Sequence, residues 1–209
     1  MREFFKECNL SDEFKEMFIG FMLGDGYLSN RNKSKHTSQF IVTNKFPSHA
    51  YFLSQILARE GIDHIVKIAD KQGNFSGSKA SSTVYTKFYK TFMDLEGKWY
   101  TTRSDGTHYK RIPSDLKLTP ISLLTWYIGD GYLVNLRGKP TRVQFCTDRY
   151  TDDEIKFLRD CFERDLGIPA QIDWSRRRIR IPTRHLKQFF DILPECPTLI
   201  NTDLGYKWA

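Results

Sequence analysis

The chain has 209 residues, 40% of them hydrophobic and 14% aromatic, enough to give one large domain or two small ones a real core. Its 32 Lys and Arg against 25 Asp and Glu leave a charge of +7, which suits a polyanionic partner. No stretch approaches the roughly 18 apolar residues of a membrane helix, and the opening "MREFFKECNL" lacks the apolar run of a signal peptide, so neither a membrane nor a secretory role is expected.

In chain order, Ser11 is a good N-cap for a helix whose first turn carries Asp12 and Glu13. Phe14, Met17, Phe18, Phe21 and Met22 recur at helical spacing up to Gly24-Asp25-Gly26, where Gly26 is expected as a left-handed C-cap. Strands over 27–28 and 39–43 bracket a polar loop, a helix spans about 48–60, and strands span 65–69 and 83–87. The glycine- and serine-rich stretch 70–83 between the last two reads as a long hairpin loop, and a helix over 88–95 closes the half. A polar linker covers 98–118, and its Asp105-Gly106 reads as a plain turn. Then Thr119 caps and Pro120 opens a second helix with Ile121, Leu124 and Ile128 in period, ending at Gly129-Asp130-Gly131, with Gly131 again an expected left-handed cap. Strands over 132–134 and 142–147, a helix over 152–166, strands over 171–174 and 178–181, and a helix over 183–193 complete a second αββαββα half. The expected domains are therefore 1–97 and 119–209. Cys8, Cys146, Cys161 and Cys196 show neither CxxC nor zinc-site spacing and read as reduced thiols of an intracellular protein, with mitochondrion, chloroplast and microbial cytoplasm all compatible.

The halves are a repeat. "MLGDGYLSN" (22–30) and "YIGDGYLVN" (127–135) agree at six of nine positions, at an offset of 105. Gln39-Phe40 and Gln144-Phe145 keep that offset, "YFLSQILAREGI" resembles "KFLRDCFERDLGI" with one residue inserted, and "HYK" answers "GYK" late in each half. Asp25 and Asp130 each stand at a helix C-terminus, the negative end of the macrodipole, where a carboxylate is disfavoured by roughly 0.3–1 kcal/mol. A bound cation would reverse that sign. Small residues four apart, Gly20 and Gly24, then Thr125 and Gly129, would let the two helices approach closely and bring both aspartates to one end.

"FIGFMLGDG" (18–26) and "LLTWYIGDG" (123–131) resemble the paired motifs of LAGLIDADG homing endonucleases, and the chain is similar over nearly its whole length to the single-chain, two-motif group of group I introns. The resemblance implies an α+β fold: a pseudo-twofold pair of αββαββα halves, motif helices at the interface and antiparallel sheets forming a DNA-binding saddle. It implies divalent metals on Asp25 and Asp130, with the backbone carbonyls of Gly24 and Gly129 nearby, and catalytic lysines at Lys110 and Lys207. Mg²⁺ is the expected cofactor, Mn²⁺ a substitute, and Ca²⁺ an ion that binds without supporting cleavage. Leu23, Ile128 and Thr125 depart from the family pattern without removing an acidic ligand. The expected function is a site-specific homing endonuclease making a staggered double-strand cut in a long, non-palindromic site, as a monomer on double-stranded DNA. The alternative is a maturase binding host intron RNA.

Recognition is expected from the strands, whose alternate side chains can meet base edges in the major groove. The candidates in the first half are Ser29, Arg31, Lys33, Lys35, Gln39, Asn44, Lys67, Lys71, Asn74, Lys79, Tyr85 and Lys87. Those in the second are Asn135, Arg137, Lys139, Arg142, Gln144, Arg149, Gln171, Trp174, Arg176, Arg177, Arg178 and Arg180.

Overall fold

A computed structural model describes residues 6–30, 36–69, 81–102, 104 and 108–208. The fold is α+β, with antiparallel sheets and helices in the expected order. Two compact units divide it: Met1–Lys15 with Asp25–Lys110, and Glu16–Gly24 with Arg111–Ala209.

In the first unit, β1 (Gly26–Ser29), β2 (Gln39–Asn44), β4 (Ser81–Thr86) and β3 (His64–Ala69) form one antiparallel sheet in that order. Strand alternation puts Leu28, Phe40, Val42 and Val84 on one face, and all are buried. Leu53, Ile56 and Leu57 of α2 (Pro47–Arg59) and Phe92 and Trp99 of α3 (Lys90–Trp99) complete this core. The segment expected as a linker contains a small hairpin, β5 (Tyr100–Thr102) with β6 (His108–Lys110). Its strands are three residues long and polar, too short for alternation to reveal.

In the second unit the order repeats as β7 (Gly131–Leu136), β8 (Lys139–Cys146), β10 (Arg178–Pro182) and β9 (Gln171–Asp173). Leu123, Trp126 and Tyr127 of α4 (Pro120–Asp130) are buried with Phe145, Phe162 and Phe189 in an aromatic core. Trp126 stacks at 4.5 Å on Phe145 and 5.6 Å on Phe162. Thr119 caps α4 through a full capping box with Ser122, and Thr151 does the same for α5 (Asp152–Leu166) with Glu154. The final helix of the repeat begins as a 3₁₀ turn, Thr183–His185, and continues as α6 (Leu186–Ile192). Two further elements follow, α7 (Thr198–Leu204) and a 3₁₀ turn, Gly205–Lys207.

The first motif helix, α1 (Asp12–Leu23), is capped by Ser11, whose Oγ accepts from Phe14 N at 3.0 Å. Its later residues belong to the second unit, where they meet α4 backbone to backbone. A Cβ on Gly20 would fall 2.0 Å from Thr125 Oγ1 and 2.1 Å from Ser122 O, so only glycine fits. Thr125 departs from a small-residue repeat without loosening the contact: its hydroxyl donates to Met17 O at 2.9 Å. The left-handed caps expected at Gly26 and Gly131 are not formed. Gly131 has φ −83° and ψ 151°, and Gly26 is the first residue of β1. α4 runs directly into β7, α1 reaches β1 through a two-residue turn at Gly24-Asp25, and neither junction uses a left-handed residue. At Gly131 the constraint is space: a Cβ would lie 2.1 Å from Tyr127 Cδ2 and 2.7 Å from Tyr127 Cα.

Candidate active site and nucleic-acid interface

In the first unit the motif aspartate is held from the adjoining sheet. Asn44, the last residue of β2, donates from Nδ2 to Asp25 Oδ2 at 2.9 Å. Its own Oδ1 accepts from Phe46 N at 3.0 Å, which fixes the amide with its NH₂ towards the carboxylate. The β5–β6 hairpin is what delivers Lys110. The Leu28 amide donates to the Tyr100 hydroxyl at 3.1 Å, and the Tyr100 ring stacks on His108 at 4.9 Å. Lys110 then donates to Gly26 O at 2.6 Å, one residue beyond Asp25.

In the second unit Asp130 ends α4 with its side chain 23% exposed, and Arg149 lies 3.8 Å from its Oδ2. The same guanidinium Nη2 donates to Gly24 O and, at 3.2 Å, to Leu23 O. A Cβ on Gly24 would sit 3.7 Å from both Gly129 Cα and Asp130 N, so the two motif glycines are in close approach. Lys207, only 5% exposed, donates to Tyr127 O at 3.1 Å and Ile128 O at 2.7 Å. It places a cation on the last-turn carbonyls of α4, where the helix dipole favours one, and Tyr127 OH donates back to Lys207 O. Burial pushes the Tyr127 and Tyr150 hydroxyls well above the ordinary tyrosine range, so both act as neutral donors.

The donor set tests the expected metal. Among the described residues no group of three or more His, Cys, Asp or Glu could hold an ion. Each motif supplies one carboxylate and backbone carbonyls, all hard oxygens. Mg²⁺ and Mn²⁺ suit such donors, being commonly held by one or two carboxylates with water and substrate phosphates completing the shell. The residues therefore fit a metal shared with a phosphate substrate and do not form a closed protein cage.

The strand register sorts the expected DNA contacts. In the first sheet Ser29, Gln39, Tyr85 and Lys67 share the face opposite the core, with Lys67 Nζ 5.2 Å from the Tyr85 ring centre. Gln39 Nε2 donates to Thr86 O at 2.6 Å, and Lys87 follows β4 exposed. Asn44 has the other parity and serves Asp25 instead. Arg31, Lys33, Lys35, Lys71, Asn74 and Lys79 lie outside the described residues.

In the second sheet Arg142, Gln144, Gln171, Arg178 and Arg180 share the outer face. Tyr132 OH donates to Gln144 Oε1 at 2.7 Å and accepts from Arg178 Nη1. Gln171 Oε1 accepts from Arg180 Nε at 3.0 Å and Nη2 at 2.7 Å. Gln144 Nε2 and Arg178 Nε are buried without a hydrogen-bond partner among the described residues. Buried donors left unpaired cost stability, and both of these lie on the outer face of the sheet. Asn135, Arg137 and Lys139 sit exposed around the β7–β8 turn, where Arg137 takes φ 52°. Trp174 and Arg176 sit exposed in the β9–β10 turn. Arg177 is tied back to Asp152 and to Tyr150 O, and Arg149 goes to the Asp130 site. Sequence reasoning misses Tyr132 as the link between Gln144 and Arg178; its place two residues from Val134 and opposite Gln144 in the β7–β8 register is the signal that could have found it.

The family model of the LAGLIDADG DNA endonucleases matches residues 15–189. A "Probable intron-encoded endonuclease 1" of Wickerhamomyces canadensis is 23% identical over 201 residues, covering 88% of this chain and 80% of that protein. Among solved structures, the homing endonuclease I-WcaI bound to its DNA recognition sequence is similar with TM-score 0.76 and 18% identity, over 94% of this chain and 87% of that one. I-DmoI in complex with DNA and Mn is similar with TM-score 0.51 and 12% identity, over 88% and 98%. At these identities the structural likeness is one of fold. The matched span 15–189 holds both Gly-Asp-Gly motifs and every strand of both four-stranded sheets, and the chain belongs to the LAGLIDADG DNA endonuclease family.

Proposed function

We propose that this chain is a monomeric, site-specific homing endonuclease that makes a staggered double-strand cut in a long, non-palindromic DNA site by metal-dependent phosphodiester hydrolysis. The observation that carries this reading is the repeated helix-terminal aspartate, one per half, each beside a second polar side chain: Asn44 on Asp25 and Arg149 near Asp130. A divalent ion, Mg²⁺ or Mn²⁺ in place of it, would supply charge neutralisation at the scissile phosphate and an activated water. Asp25 and Asp130 would hold it, one for each strand. Lys110, placed at Gly26 by the hairpin, is in position to offset negative charge next to Asp25. Lys207 fixes the end of α4 and so the direction of Asp130. The outer faces of the two sheets share Tyr27 with Tyr132 and Gln39 with Gln144 as repeat counterparts and little else, which favours a target without internal symmetry. The DNA-bound relative I-WcaI, the I-DmoI complex with DNA and Mn, and the intron-encoded relative support the same substrate and ion class.

The test is cleavage of a plasmid carrying the gene's own insertion site, rejoined without the insert. A Mg²⁺-dependent staggered cut that Ca²⁺ does not support and Asp25→Asn abolishes is expected. Intact DNA with tight binding to the intron RNA would overturn the reading in favour of an RNA-binding role.

A further inference from the structure

Asn44 and Arg149 occupy one position of the repeat, 105 residues apart, each two residues before the N-cap of the following helix. Their chemistry differs. Asn44 brings a neutral amide to Asp25. Arg149 brings a full positive charge to Leu23 O, Gly24 O and the Asp130 carboxylate. Tyr150 braces it, with its ring centre 5.4 Å from the guanidinium carbon and its hydroxyl donating to Leu23 O at 3.0 Å. Three hard oxygens thus converge on one cationic group, and they are the kind of donor that Mg²⁺ or Mn²⁺ takes. A guanidinium and a divalent ion compete for them: the charges repel, and the N–H bonds to Leu23 O and Gly24 O take up lone pairs that a metal would use.

We propose that Arg149 is a built-in cation that competes with divalent metal at the Asp130 half-site and makes it the weaker of the two metal sites. This rests on the endonuclease reading above. The two halves then load metal unequally, although the motif that carries the aspartate is the same in both.

The test titrates Mn²⁺ alone into the full-length protein and reads the unbound ion by electron paramagnetic resonance. In an Asp25→Asn background, Arg149→Asn is expected to tighten Mn²⁺ binding about tenfold, and Arg149→Lys, which keeps the charge but loses the fork, by less. In an Asp130→Asn background Arg149→Asn is expected to leave the titration unchanged. No tightening in the first background, or equal tightening in both, overturns the inference alone. No Mn²⁺ binding by any variant, with folding verified by circular dichroism and the titration repeated with the insertion-site duplex bound, overturns it together with the metal-dependent mechanism.

Discussion

The two four-stranded sheets have the same strand order and present different chemistry. On the outer face of the first, one cross-strand row runs Tyr27, Ile41, Tyr85, Ile65, largely apolar, with Thr43, Thr83 and Lys67 beside it. On the second the corresponding row runs Tyr132, Gln144, Arg180, Gln171, with Arg178 adjacent. Even the register differs. Gly26 pairs with Val42, but Gly131 pairs with Phe145, the repeat counterpart of Phe40, so one hairpin has slid by two residues relative to the other. A slip of two preserves which side chains face the core, where a slip of one would invert every strand. The repeat therefore keeps the buried face and the motif helices, and leaves the outer face free to diverge in both residue type and alignment.

The widest break in the comparison lies at the aspartates. Asp25→Asn and Asp130→Asn should each cost roughly a hundredfold to a thousandfold in double-strand cleavage, with each variant retaining nicking of the strand addressed by the intact half. Gel separation of supercoiled, nicked and linear plasmid reads both effects; full double-strand cutting by either variant would break the one-aspartate-per-strand assignment. Next is packing. Gly20→Ala must displace backbone at Ser122 and should cost about 3 kcal/mol, while Gly24→Ala, with no neighbour nearer than 3.6 Å, should cost far less. Urea unfolding of the two variants gives that contrast directly. On the sheets, Arg178→Ala and Arg180→Ala should each lose about 1–3 kcal/mol of DNA affinity and relax base preference at one position. Lys67→Ala on the first sheet should weaken binding evenly across sequences and lower the salt slope by about 1. Competition binding against randomised sites at several salt concentrations separates the two behaviours. The smallest effect is at the helix caps. Thr151→Ala removes a capping box and should cost about 1 kcal/mol, whereas Phe46, its counterpart on α2, makes no side-chain cap and loses none on substitution by Ala.

Much of this was legible in the residues because it repeats. The 105-residue offset exposes both motif helices, both sheets and the Asp25–Asp130 pair, and period-two alternation places Gln39, Gln144, Arg178 and Arg180 on the correct face. What was not legible depends on packing. Gly131 is glycine because Tyr127 leaves no room, which the local sequence expresses in the same letters as a C-cap. The β5–β6 hairpin has too few residues to show a period, although Lys110 depends on it. Asn44 ends β2 and Arg149 lies in the turn after β8, where alternation no longer tells which way a side chain turns, so the sequence does not show that they meet Asp25 and Asp130.

The membership of Glu16–Gly24 in the second unit has a consequence for biosynthesis. Met17 and its partner Thr125 are 108 residues apart, and a ribosome adding about 5–20 residues per second separates them by roughly 5–20 s. Throughout that interval Met17 and Gly20 have emerged without α4, the helix whose Thr125 and Ser122 they meet in the finished protein. The first motif helix thus waits on the second, and until α4 is made its α4-facing side is open to other partners, a chaperone among them.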